Sequence, residues 1–359
     1  MGEPARVPVV TELQLGHFRC FDSVRVQPGS GFNLISGPNG SGKTSLLEAL
    51  YLLGRGISFR AARTESAIQF EQDRATLFGR LGLGEAGRVG VEISRAEGLS
   101  VRVDGNAGTR ADLARALPIQ VLDPSSHDLV SGAPAERRQF LDWGVFHVEP
   151  GFLPAWQRYR RALQQRNAAL KGRHGAPWAW DDTLAAEGVL VDAQRRRFLE
   201  ALATRAQPLA EDLLGADLVL DYQSGWAAGT ALADALAAGR DRDLQTGTSH
   251  VGPHRADIRI TVRSRRARDT VSRGQEKLVA AALTLAQVAL VAAARGQLIA
   301  LLVDEAGADL DREHLHRLLA AVANAPAQSF VTSLDPAALR LSADVQRFHV
   351  EHGRVEALL

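Results

Sequence analysis

The chain has 359 residues, 45% hydrophobic and 23% charged, which suits a soluble globular protein of one large domain or two lobes. Its 42 Lys and Arg face 41 Asp and Glu, so global charge selects no partner and any nucleic-acid surface must be a local patch. The single cysteine, Cys20, excludes an intrachain disulfide and a cysteine-based zinc site, which suits a reducing compartment.

The opening MGEPARVPVV has no long apolar run behind a basic start, so no signal peptide is read and a cytoplasmic protein is expected. Val9, Leu13, Leu15, Phe18, Phe21, Val24 and Val26 then alternate with polar residues, the period of a strand. GFNLIS (31–36) is a short apolar strand that runs into GPNGSGKT. Leu46, Leu47, Leu50 and Leu53 follow at helical spacing up to a stop at Gly54.

GPNGSGKT matches G-x-x-x-x-G-K-[ST] at every position: Gly37, Pro38, Asn39, Gly40, Ser41, Gly42, Lys43 and Thr44. Its place between a strand and a helix is the context the motif needs. Glycines let backbone N–H groups curl around the phosphates of ATP, and the helix N-terminus adds positive potential. Lys43 is expected on the β/γ oxygens and the Thr44 hydroxyl on Mg²⁺.

From 74 to 104 the period is two. Ala75, Leu77, Leu81 and Leu83, then Val89, Val91 and Ile93, then Leu99, Val101 and Val103 predict a three-strand antiparallel arm, with Asp104-Gly105 as a turn. Gly82, Gly84 and Gly87 spell G-x-G-x-x-G, but an alternating strand follows instead of a helix, so they read as hairpin glycines.

From about 125 to 245 the texture is helical, rich in Ala, Leu and Arg, without sustained heptads, so coiled-coil arms are not expected. GAPAERRQFLDWG opens one helix with Pro134 near its first turn, and AWQRYRRALQQRNAALKGR and LVDAQRRRFLEALATRAQPLAEDLLG form two more. IRITV (258–262) returns to a strand. The apolar run Leu278–Val303 is broken by Gln287, Arg295 and Gln297, so it reads as a buried helix and strand and not a membrane span.

LIALLVDE (298–305) is a buried parallel-type strand ending in acid. It places Asp304 at the sheet edge to hold Mg²⁺ and Glu305 to polarise the attacking water. SRGQE offers Ser272, Gly274 and Gln275 at the head of a helix expected over about 276–294. Standing alone, that pattern is any capped helix start. The order of parts, ending with Asp311 in ADLD (308–311), is that of ABC-type ATPases, in which the turn is a second anion site. The expected fold is α/β: a P-loop ABC-type ATPase head with an antiparallel arm and an inserted helical lobe, without coiled coil. Residues 1–120 with 250–359 would form the ATP-binding lobe and 121–249 the helical insertion. In that architecture one chain cannot close its signature turn on its own nucleotide. Two chains head to tail are therefore expected, with ATP driving a homodimer by mass action and hydrolysis releasing it.

GHFRCF, PSSHDLVSGAPAERRQFLDWGVFHVEPGF (124–152), QRNAAL, HVGPHRADI and VSRGQEKL, in this order over nearly the whole chain, resemble the RecF family of bacterial recombinational-repair ATPases. The resemblance implies a weak, DNA-stimulated ATPase that binds double-stranded DNA and single-strand gaps or junctions. It also implies action with RecR-like and RecO-like partners in loading recombinase, and no membrane partner. Asp304-Glu305 departs from the family's Asp-Asp, which leaves the hydrolysis rate open. FVTSLD offers Thr332 and Ser333 where many ABC ATPases carry a histidine, and Gln120 stands where such proteins carry a lobe-linking glutamine.

The rival reading, an ATPase subunit of an ABC membrane transporter, expects a short helical lobe and is disfavoured by the long arginine-rich insert. A P-loop kinase would have no use for SRGQE and ADLD. Candidate DNA contacts are Arg55, Arg60 and Arg63; Arg158, Arg160, Arg161 and Arg195–Arg197; and Arg263, Arg265, Arg266 and Arg268, each set having acids nearby. His250 and His254 flank Gly252-Pro253, which breaks any helix and disfavours a metal pair. Trp178 and Trp180 beside Asp181 and Asp182 read as core aromatics before a partner surface.

Overall fold

The computed structural model describes residues 7, 9–82, 84, 86–172, 176–333 and 345–358. In chain order its strands are β1 (Val10–Phe18), β2 (Phe21–Val26), β3 (Phe32–Ser36), β4 (Arg74–Leu81), β5 (Arg88–Ser94), β6 (Gly98–Val103), β7 (Asn106–Ala107) and β8 (Ile119–Leu122). They continue with β9 (Leu218–Gln223), β10 (Asp257–Val262), β11 (Arg265–Arg266), β12 (Ile299–Val303), β13 (Ala327–Ser333), β14 (Val345–Glu351) and β15 (Arg354–Leu358). The chain divides into two compact units: Met1–Ser126 with Ala280–Leu359, and His127–Val279.

The first unit holds two six-stranded sheets. One is antiparallel, in the order β2-β1-β4-β5-β6-β7. The expected arm is present as β4, β5 and β6, but it does not stand apart, because β4 pairs with β1 and the ladder continues to β2. Alternating burial along β4 explains why its period is legible in the sequence. Leu83, part of that expectation, lies outside the described residues. Gly82, Gly84 and Gly87 lie in the β4–β5 hairpin, where the Leu81 N–H donates to the Gly87 carbonyl at 2.9 Å.

The second sheet has the order β15-β14-β3-β13-β12-β8. Its five strands from β14 to β8 are parallel, and β15 closes the edge antiparallel. β3 and β12 are buried along their whole length, as strands covered on both faces must be. The helix Lys43–Arg55 buries Leu46, Leu47, Leu50 and Leu53 in one apolar cluster with side chains of both sheets. Gln328 of β13 adds a polar tie: its Oε1 accepts from the Val10 N–H (2.7 Å), and its Nε2 donates to the carbonyls of Val10 (2.9 Å) and Gly29 (2.8 Å).

The second unit combines the helices Pro134–Val148, Phe152–Gly172 and Asp181–Leu214 with a small antiparallel sheet, β11-β10-β9. It extends past the expected boundary at 249 because β10 pairs along its length with β9, which carries the unit on to Val279. Pro134 occupies the first turn of its helix, where its missing N–H costs nothing. The helix Arg273–Arg295 begins in this unit and ends in the other. It is the one described helix long and apolar enough to cross a membrane, and 78% of its apolar stretch is buried inside the protein.

Buried arginines hold this unit together. Arg166 is fully buried and donates to Asp181 (2.8 Å), to Asp243 (2.7 Å) and to the Ser249 hydroxyl (2.6 Å). Its guanidinium and that of Arg240 both lie over the Trp178 ring, at 5.1 and 4.9 Å from the centroid. Arg195, a candidate DNA contact by sequence, is also fully buried. It forms a bidentate pair with Asp142 (2.7 and 2.9 Å) and donates to the Pro253 carbonyl at 2.7 Å, so it cannot reach a phosphate. Arg137 pairs with Asp257 (2.7 and 3.2 Å) and Arg138 donates to the Ala256 carbonyl at 2.8 Å. The RRQFLDW block and the segment after GPHR are thus joined to each other.

His254 is no metal ligand here. Its Nε2 lies 3.0 Å from the Ser249 carbonyl, which can only accept, so Nε2 carries the proton and Nδ1 accepts from the Tyr159 hydroxyl at 2.6 Å. Burial pushes the imidazole down to about 4. His250 instead contacts Asp243 through Nδ1 at 2.9 Å.

Replacing one partner of a buried charge leaves the other uncompensated. Asp243→Ala is expected to destabilise this unit by about 3–5 kcal/mol, because Arg166 loses one of its two carboxylates. Urea denaturation followed by tryptophan fluorescence measures this. A loss below about 1 kcal/mol would show that the cluster does not hold the unit together.

Candidate nucleotide site

β3 ends at Ser36, and the loop Gly37–Gly42 turns the chain into the helix Lys43–Arg55. Sterics demand glycine at two of its positions. Gly37 has φ 148° and a Cβ there would collide with the Val350 carbonyl oxygen, while at Gly42, φ 113°, a Cβ would sit 2.6 Å from Cys20 Sγ. The loop therefore passes closer to its surroundings than any side chain would allow. Lys43 Nζ donates to the carbonyls of Gly37 and Pro38, both at 2.8 Å, so the ammonium is held over the loop. Burial lowers its pKa, and the charges of Asp304 and Glu305 pull the other way.

Asp304 follows β12, two strands from β3 in the parallel sheet, and β13 lies between them. Its Oδ1 accepts from the Thr44 hydroxyl at 3.0 Å and from the Thr332 hydroxyl at 2.7 Å. Glu305 donates its N–H to Thr332 Oγ1 at 2.8 Å and takes a left-handed backbone, φ 48°. Burial raises the Asp304 carboxyl, and nearby Glu305 and Asp123 raise it further, against the lowering effect of the two hydroxyls.

Beside these groups lies a cavity of about 780 Å³, lined by Asn39, Gly40, Gly42, Lys43, Thr44 and Glu305 among others. Thr332 and Ser333 reach it too, at the place where many ABC ATPases carry a histidine; the Leu334 and Asp335 of FVTSLD lie outside the described residues. Cys20 and Arg60 also line the cavity, a position that strand periodicity and charge clustering do not reveal. Sequence reasoning misses Asp123 as well, although it ends β8 as Asp304 ends β12, an apolar strand closing in acid. Its carboxylate is held by the hydroxyls of Ser125 (2.9 Å) and Ser126 (2.9 Å).

Other candidates are not among the residues that line the cavity. Gln120 is buried in β8 and hydrogen-bonded to Gln287, so it is not a lobe-linking side chain at this site. Asp311 caps the helix Arg312–Asn324, accepting from the His314 N–H at 2.9 Å, and that bond holds its carboxyl below the usual range. Ser272, Gly274 and Gln275 belong to the second unit. There Ser272 donates its N–H to Gln275 Oε1 (3.0 Å) and accepts the Gln275 N–H at 3.4 Å, a reciprocal cap on the helix Arg273–Arg295.

The donor set suits Mg²⁺. Thr44 and Asp304 offer hard oxygens in mutual contact, and Asp304 Oδ2 has no hydrogen-bond partner among the described residues. Among those residues no group of three or more His, Cys, Asp or Glu could cage a metal. This fits an ion held by one or two side chains together with phosphate oxygens.

The chain is similar to known proteins along nearly its whole length. The RecF/RecN/SMC N terminal domain family matches residues 9–356. The DNA replication and repair protein RecF of Pseudomonas paraeruginosa is 43% identical over 360 residues, spanning 96% of this chain and 97% of its own. That of Azotobacter vinelandii is 43% identical over 346 residues, with 92% and 94% covered. The solved recombination mediator protein RecF-ATP in the RecFOR pathway superposes with a TM-score of 0.88 at 22% identity, covering both chains completely. An Smc head bound to the C-winged helix domain of ScpA gives 0.61 at 16% identity over 98% and 97% of the two chains, a likeness of fold. With its loop, its parallel sheet and its sequence matched along nearly the whole length, the chain belongs to the RecF family.

Proposed function

We propose that this chain is an ATP-binding and ATP-hydrolysing protein of DNA replication and recombinational repair. The observation that carries the reading is that Lys43 and Thr44, the latter hydrogen-bonded to Asp304, line one cavity with Glu305, beside a loop that requires glycine at Gly37 and Gly42. The RecF names of the curated relatives support the assignment to DNA repair. Nothing comparable supports the transporter alternative.

Bound ATP would supply a phosphoanhydride to cleave, and Mg²⁺ on Thr44 and Asp304 would neutralise its charge. The work of the chain is to position. Loop N–H groups cradle the phosphates, Lys43 exchanges two loop carbonyls for β/γ oxygens, and Glu305 orients a water. Burial already favours neutralising the Asp304 charge, which a cation also does.

Ser272 is exposed and Gly274 and Gln275 are half-buried at a helix start in a unit other than that of the glycine loop, and Asp311, which follows them in the chain, is exposed. We read both as groups that meet the nucleotide of a second chain, so that ATP drives a head-to-tail homodimer. The dimer would act at gaps or junctions of DNA with RecR-like and RecO-like mediators, in the cytoplasm. Arg263, Arg265 and Arg266 around the β10–β11 turn are exposed and suit a phosphate backbone; Arg158, Arg196 and Arg197 are exposed but already paired to Glu187, Asp192 and Glu149.

Sedimentation with and without ATP tests the assembly. The wild-type chain is expected to dimerise with ATP, Lys43→Met to remain monomeric, and Ser272→Arg to bind ATP yet remain monomeric. Dimerisation of Ser272→Arg at the wild-type level would leave that turn as a helix cap alone. DNA binding tests the arginines: Arg265→Ala with Arg266→Ala should weaken binding and reduce the salt slope by about one for each phosphate no longer neutralised. An unchanged slope would remove this turn from the DNA interface.

A further inference from the structure

Thr332 sits where β13 ends between the strands that deliver Thr44 and Asp304, and its side chain is buried. A hydroxyl has one hydrogen to give and lone pairs to accept with. The carboxylate of Asp304 can only accept and the backbone N–H of Glu305 can only donate. The two contacts, 2.7 Å and 2.8 Å, therefore fix the direction of the bond chain: Glu305 N–H to Thr332 oxygen, and Thr332 O–H to Asp304 Oδ1. Glu305 meanwhile occupies the left-handed region, φ 48°, which is unfavourable for a residue with a side chain and persists only where its surroundings hold it. The Thr332 hydroxyl supplies one of the bonds to its backbone. Within the turn, the Ala308 N–H donates to the Glu305 carbonyl at 2.9 Å.

We propose that Thr332 is the positioning residue of the hydrolytic site: its hydroxyl couples the Asp304 carboxylate to the Glu305 backbone and so aims the Glu305 side chain into the nucleotide cavity. The cavity lining is consistent with that aim, since Glu305 and Thr332 both reach it. Thr332 acts through Glu305 and needs no contact with the nucleotide. This role rests on the reading of the site as an ATPase, and it accounts for a threonine at the place where related ATPases carry a histidine nearby.

Two measurements separate this proposal from that reading. The first needs no nucleotide: amide hydrogen exchange at Glu305, followed by NMR on the ¹⁵N-labelled full chain. Thr332→Val keeps the shape and removes the hydroxyl, so the Glu305 amide should exchange at least about tenfold faster, while Thr332→Ser should keep it protected. Equal protection in the valine variant would overturn the proposal whether or not the protein hydrolyses ATP. The second is steady-state hydrolysis. Thr332→Val should lower kcat by about 10- to 100-fold with KM for ATP little changed, and Thr332→Ser should restore most of it. Equal losses in the two variants, or a loss confined to KM, would also overturn it. Wild-type hydrolysis no greater than that of Lys43→Met would instead refute the ATPase reading, and the exchange result would still decide the hydrogen bond. Thr332→Ala carries both measurements should the valine variant fail to fold.

Discussion

The candidate nucleotide site depends on the parallel register of β3, β13 and β12. Ser36 pairs with Ser333, and Val331 with Val303, so the three strands finish side by side at one sheet edge. From that edge emerge the glycine loop, Thr332 and the acid pair Asp304-Glu305. Residues far apart in the chain, Thr44 and Asp304, come within hydrogen-bonding distance because the register leaves them nowhere else to be. A slip of one residue in β13 would turn Thr332 to the other face and break both of its bonds. The apolar strands are thus the precision element of the site, and their complete burial is what makes slippage costly.

The second unit uses charge differently. Its arginines are abundant, and an arginine-rich insert in a DNA-repair protein invites the view that they face DNA. One of those candidates, Arg195, is instead buried with Asp142 and lies over the Trp156 ring at 5.2 Å. Arg166 is likewise enclosed by two carboxylates, a hydroxyl and a tryptophan face. A planar fork of fixed geometry reaches several such acceptors at once, which an ammonium on a flexible stem does less well. The result is that RRQFLDW and the residues around GPHR, the stretches by which the family is recognised, serve here to hold the unit's helices to β10.

The helix Arg273–Arg295 links the two themes. Its first turn is a polar cap and its length is apolar core. A cap of Ser272 and Gln275 satisfies the helix start within one chain, yet it also leaves an exposed helix N-terminus, the feature an anion partner would use. The same atoms therefore serve both readings, and only association with a second chain distinguishes them.

Several things about this protein were determined by sequence alone. The glycine loop, the acid-ended strand and the family were legible because each is a local pattern: residue types in a fixed order that chemistry or backbone sterics require. The two alternating strand sets and the apolar helix were legible for the same reason, since burial writes a period into the chain. What tertiary structure alone decided was pairing. That β4 joins β1 and extends the arm into a six-stranded sheet, that β10 belongs with β9 and moves the unit boundary, and that Gln120 meets Gln287 inside the core are matters of register between distant segments. The fate of each arginine was hidden for the same reason, because a guanidinium looks alike in sequence whether its carboxylate partner is across the core or absent. Thr332 is the sharpest case: a single threonine in an apolar strand has no pattern of its own, and it gains a role only when the fold sets it between Asp304 and Glu305.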